Sequence, residues 1–167
     1  LVADRGGRAA VLAEKAMVAA NSAEMAVCVL RPAGIYGPRD KYHLPNLAQL
    51  ARGPVNIRLG SGRALFSHVF AGNVAHAHIK AAEHLHPGSA VAGQCYFVTD
   101  HKPDENLFDF IAPFLKELGL KPARLRIPYR PAYALATVAE KISPTSNFNR
   151  FSVIQTCIDH TFVHHKA

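Results

Sequence analysis

The stretch over residues 26–40 constrains this chain more than any other. An apolar, β-branched run, Ala-Val-Cys-Val-Leu, passes through Arg31 and breaks at Pro32, with Gly34, Gly37 and Pro38 close behind. A short continuous apolar run suits a strand buried on both faces, as inside a parallel sheet. Pro32 has no backbone donor and is expected to end the strand's ladder. The glycines allow backbone to approach a ligand closely or to take positive φ. In open α/β sheets the ligand crevice lies beyond the carboxyl ends of the strands. The loop after Pro32 is therefore either a site wall or an ordinary tight exit turn.

The rest of the pattern alternates helix and strand. Val11, Leu12, Ala16, Val18 and Ala19 make a helical pattern over 8–21, closed by Asn21 and Ser22. Leu44, Leu47, Leu50 and Ala51 give a second helix over 43–52. Residues 56–59 and 64–70 read as two strands of a hairpin, joined by the glycine turn Gly60-Ser61-Gly62-Arg63. A helix with Asn73 near its amino end carries Val74, His78, Ala81, Ala82 and Leu85 on one face. A buried strand over 95–99 follows. A strongly apolar helix then runs from Pro103 and Asp104 to Gly119, a strand covers 124–127, and an Ala-rich helix ends near Ile142. Beyond a linker at 144–147, a short helix over 148–158 and a short strand over 161–163 are expected.

Composition removes several classes. Half the residues are apolar, at 49%, which argues for a packed core in a chain of this length. No apolar run approaches the roughly 18 residues of a spanning helix. The opening Leu-Val-Ala-Asp lacks Met and has no signal pattern, so the amino end reads as cut. Net charge is +7, yet the Lys and Arg residues are scattered and no nucleic-acid module is legible. The excess reads as a solvated basic surface, not a nucleic-acid partner. Ten histidines invite a metal site, but His76 and His78, like His84 and His86, are two apart and diverge on a helix; no metal is expected. Cys28, Cys95 and Cys157 lie in apolar runs and read as reduced, buried thiols of a cytoplasmic protein.

Several separated motifs occur in one order: Leu-Arg-Pro-Ala-Gly-Ile-Tyr-Gly-Pro over 30–38, Gly-Ser-Gly-Arg over 60–63, Ala-Gly-Asn-Val-Ala-His-Ala-His over 71–78 and Gly-Gln-Cys-Tyr-Phe-Val-Thr-Asp over 93–100. The set resembles the extended short-chain dehydrogenases, in the branch of 3β-hydroxysteroid dehydrogenase and sterol-4α-carboxylate 3-dehydrogenase. That resemblance implies an α/β fold: the last sheet strand of a Rossmann-like domain (1–42) and a mixed α/β substrate lobe (43–167), together one incomplete domain. It implies oxidation of a ring CH–OH group of a sterol or similar alicyclic alcohol, with NAD as acceptor. Pro32, Ala33, Gly34 and Ile35 would line the nicotinamide, and Tyr36, His43 and Arg63 would face the substrate. A nucleotide-sugar epimerase or dehydratase of the same superfamily is the alternative.

The family's Tyr-x-x-x-Lys pair, which supplies acid–base chemistry, falls on Gly6 and Ala10. No catalytic residue is therefore assigned. Either the chain is a non-catalytic paralogue that serves as a binding module, or its amino end is truncated or misread. No Gly-x-Gly-x-x-Gly follows a strand, so tight NAD binding is not expected. Tyr129, Tyr133, Leu135 and Val138 leave a thin apolar surface that allows at most weak, peripheral membrane contact. An exposed sheet edge is expected to favour association.

Overall fold

A computed structural model describes residues 5–42, 44, 45, 48, 57–100, 104–121, 123, 125–143 and 148–162. The elements given for the described residues follow in the order α1 (Arg5–Ala19), β1 (Val29–Pro32), β2 (Gly34–Tyr36), β3 (Ile57–Leu59), β4 (Leu65–Phe66), β5 (His68–Phe70), α2 (Ala71–His84), β6 (Cys95–Val98), β7 (Glu105–Asn106), α3 (Leu107–Glu117), β8 (Leu125–Ile127), α4 (Tyr129–Ile142) and α5 (Arg150–Cys157). The α/β class is as expected. His43 and most of the helix expected over 43–52 lie outside the described residues, as do the 144–147 linker and Val163.

The chain divides into two compact units, one of Leu1–Ile35, Val69–Asp100 and Phe162–Ala167, the other of Tyr36–His68 and His101–Thr161. The units interleave along the sequence, whereas the sequence reading divides it once, near residue 42.

In the first unit, β1 and β6 pair in parallel, with Val29 opposite Cys95 and Pro32 opposite Val98. Donors alternate along such a ladder. Val29 N–H reaches Gln94 O at 2.9 Å and Ala33 N–H reaches Val98 O at 3.0 Å. Pro32 falls between these donors, so its missing N–H faces away from β6. The expectation that Pro32 ends the ladder is corrected by one residue: bonding runs on through Ala33. The expectation of a strand buried on both faces is also too strong, because Val29, Leu30 and Arg31 are only half-buried. Composition measures a strand's capacity to be buried; neighbours decide whether it is.

Helix α1 is tied to this strand by charge. Glu14 takes two bonds from Arg31, Nε to Oε2 at 2.6 Å and Nη2 to Oε1 at 2.5 Å. The Arg31 guanidinium also lies 5.0 Å from the centroid of Phe97, and Phe97 stacks on Phe162 at 4.5 Å. One arginine thus joins α1, β1 and β6.

In the second unit, the expected hairpin over 56–70 does not form. β3 pairs in parallel with β8, Ile57 opposite Leu125, and β4 pairs antiparallel with β7, Leu65 opposite Asn106. The reason lies in the turn between them, where Gly60 N–H bonds Ile127 O at 2.8 Å and leads away from β4. Leu59, Ala132, Ala136 and Val153 form one core, where α4 and α5 pack over β3. Ala132 and Ala136 are fully buried; their small side chains let the helix approach closely. Ala48, Ile111 and Leu115 form a second core on α3, and Ala64, Phe66 and Leu107 a third. Just before the strand expected over 161–163, His160 makes an isolated parallel bridge to Phe66, and Thr161 and Phe162 are not in a strand.

Candidate functional site

Two stretches hold the candidate residues, one in each unit. In the first, the apolar run ends in β1, and a single residue, Ala33, separates it from β2. Ala33 is buried, Gly34 half-buried, and Pro32 and Ile35 exposed. Gly34 carries no side chain, so a flat ligand could lie against its backbone. Alpha-helix α1 contains both positions that match the family's Tyr and Lys, Gly6 and Ala10; Ala10 is exposed. Neither carries a group that transfers a proton. Arg31 beside Glu14 holds that carboxyl below its usual range, through its hydrogen bond first and its charge second, and Glu14 raises the Arg31 guanidinium in turn. Burial, aided by the neighbouring Cys95, pushes the Cys28 thiol up.

Asp100, two residues beyond β6, ties the end of β5 to the first turn of α2. Its Oδ1 accepts from Phe70 N at 2.9 Å and from Asn73 Nδ2 at 2.7 Å. Asn73 lies near the amino end of α2, as the sequence implies. The helix begins at Ala71 with Phe70 as its N-cap, which makes no side-chain cap bond. Asn73, in the first turn, instead donates from Nδ2 to the charged Asp100 carboxylate.

In the second unit, Tyr36 meets the aromatic face of α3. Its ring lies edge-on to Phe110 at 5.1 Å and 76°, and to Phe114 at 6.3 Å and 71°. Phe110 in turn stacks on His68 at 3.6 Å and 9°. Edge-to-face pairs of this kind fix ring orientation as well as burying area. Beyond Tyr36 the backbone turns through Arg39, a non-glycine residue at φ 66°. Asp40 secures the exit, with Oδ1 accepting from Tyr42 N at 2.8 Å and Oδ2 from Leu44 N at 2.7 Å.

Arg63 is exposed at the end of the turn over 60–63, and its N–H bonds Ser61 Oγ at 3.2 Å. Two residues that sequence reading missed hold this turn. Arg58 Nη2 donates to Gly62 O at 3.1 Å, to Asn106 Oδ1 at 2.7 Å and to Asp109 Oδ1 at 3.2 Å. Its guanidinium sits 5.0 Å from the Phe108 centroid. Asn106, 5% exposed, donates from Nδ2 to Ala64 O at 2.7 Å and caps α3 by accepting from Phe108 N at 3.0 Å. Asn106 stands just before an apolar helical run, which is a readable cap signal. Nothing local marks Arg58. The turn also requires its glycines. Gly60 has φ 75° and an added Cβ would lie 2.6 Å from Cys157 Sγ; at Gly62, φ 69°, it would lie 2.5 Å from Arg58 Nε.

Of the expected contacts, then, Pro32, Ala33, Gly34 and Ile35 share one strand-to-strand passage, Tyr36 and Arg63 belong to the other unit, and His43 lies outside the described residues. Among the described residues no group of three or more His, Cys, Asp or Glu side chains could hold a metal ion, and no helix is long and apolar enough to cross a membrane.

Similar proteins place this arrangement. Bovine (Bos taurus) short-chain dehydrogenase/reductase family 42E member 1 is 33% identical over 98% of this chain and 46% of its own length. Sterol-4-alpha-carboxylate 3-dehydrogenase, decarboxylating, of Mus musculus is 36% identical over 75% of this chain and 35% of its own. The chain thus spans about half the length, or less, of these curated relatives. Among solved structures, UDP-glucose 4-epimerase of Thermotoga maritima, determined with UDP-glucose, superposes with a TM-score of 0.53 at 21% identity, covering 73% of this chain and 40% of that one. That likeness establishes the Rossmann-type fold. The model of the 3-beta hydroxysteroid dehydrogenase/isomerase family matches residues 7–129, and the chain belongs to that family.

Proposed function

We propose that this chain is part of an NAD-dependent dehydrogenase-type oxidoreductase whose substrate is a ring alcohol of a sterol or similar alicycle, and that the chain itself is catalytically silent. The observation that carries the assignment is the family match over residues 7–129, which takes in α1 from Gly7 onward and the passage from Pro32 to Ile35. Sequence likeness to a sterol-4-alpha-carboxylate 3-dehydrogenase supports the substrate class.

In this reading Pro32, Ala33, Gly34 and Ile35 line the nicotinamide, with the bare backbone at Gly34 against the ring. A bound nicotinamide supplies the hydride acceptor. Tyr36, His43 and Arg63 face the substrate, and the α3 rings hold Tyr36 in place. Oxidising an alcohol also requires removal of the hydroxyl proton. Gly6 and Ala10 supply no phenol and no ammonium for that task, and loss of general acid–base help typically costs about 10²–10⁴ in rate.

A second reading, a sugar-nucleotide epimerase or dehydratase, draws on the shared fold of the Thermotoga enzyme and on the exposed Arg39 and Arg63. Non-catalytic use as a binding module is the third, and rests on Gly6 and Ala10. Peripheral contact with a membrane would use the outward stripe of α4, where Leu135, Val138 and Ile142 are exposed. Association through the β1–β6 sheet edge would be the remaining route to a partner.

The test is NADH formation by the full chain with a 3β-hydroxysteroid, followed by absorbance. No rate above the enzyme-free control is expected. Steady, protein-dependent reduction of NAD would remove the claim of silence and leave the dehydrogenase assignment standing.

A further inference from the structure

We draw no further inference here: the strongest candidate, the apolar flank of α1 on which Val11, Leu12 and Met17 stand exposed, carries none because nothing in the structure shows what covers it.

Discussion

Replacing Asn106 with Ala should destabilise the second unit more than any other single polar substitution there. Three bonds are lost together: the cap to Phe108 N at 3.0 Å, the donation to Ala64 O at 2.7 Å and the acceptance from Arg58 Nη2 at 2.7 Å. Removing an N-cap costs about 1 kcal/mol. Leaving the buried Ala64 carbonyl without its donor costs about 1–3 kcal/mol. Arg58 keeps Gly62 O and Asp109, so its loss is small. The sum is about 2–4 kcal/mol, which for a chain of this size lowers Tm by roughly 5–15 °C. Thermal melts followed by circular dichroism read this directly. Asn106→Asp separates the parts: it keeps the cap and the Arg58 acceptor but turns an oxygen toward Ala64 O, so most of the carbonyl cost should remain while the cap cost disappears. A fall in Tm below about 2 °C for N106A would refute the idea that this side chain holds the turn.

Three further outcomes follow from the same geometry. Gly60→Ala should destabilise by more than about 1 kcal/mol in urea unfolding, because φ 75° disfavours a side chain and the new Cβ meets Cys157 Sγ; a neutral result would mean that α5 yields freely. Val153→Ala, at a fully buried position on α5 packed against α4 and Leu59, should cost roughly 1–3 kcal/mol in the same assay. The Glu14–Arg31 pair should make the docking of α1 pH-dependent. Because the folded carboxyl titrates below its ordinary value of 4.5, its contribution is full above that value and is lost as pH falls through the folded one. The protection of α1 amides, measured relative to their intrinsic exchange rates, should therefore fall on acidification, and in E14Q it should be low at every pH; equal protection in both proteins would contradict the pairing.

Much of the fold was readable because local chemistry and final structure agree. The apolar run ending in Leu30-Arg31-Pro32 is a parallel strand, residues 95–98 are its partner, and the periodic apolar residues after Asn106 form α3, which stops before Gly119. What was not readable depends on distant partners. β3 pairs with β8 some seventy residues on, and a glycine turn between two apolar runs looks the same whether or not it closes a hairpin. Arg58 reaches Asn106 across 48 positions, a side-chain contact that leaves no periodic trace. The half-buried state of β1 shows the same limit: Val29 and Leu30 can be buried on two faces, and only packing says whether they are. For the site, the loop at Pro32 and the exposed Arg63 were visible in the sequence, while the network that fixes Arg63 was not.

The central assignment, a family member whose site is shaped for a sterol-type ring alcohol and not for a sugar nucleotide, is tested most directly by competition. The full chain is dialysed against a labelled 3β-hydroxysteroid, with excess unlabelled steroid or excess UDP-glucose as competitor. A sterol-directed site retains the label, releases it to unlabelled steroid and ignores UDP-glucose. Displacement by UDP-glucose, or retention of UDP-glucose with no retention of steroid, contradicts the assignment.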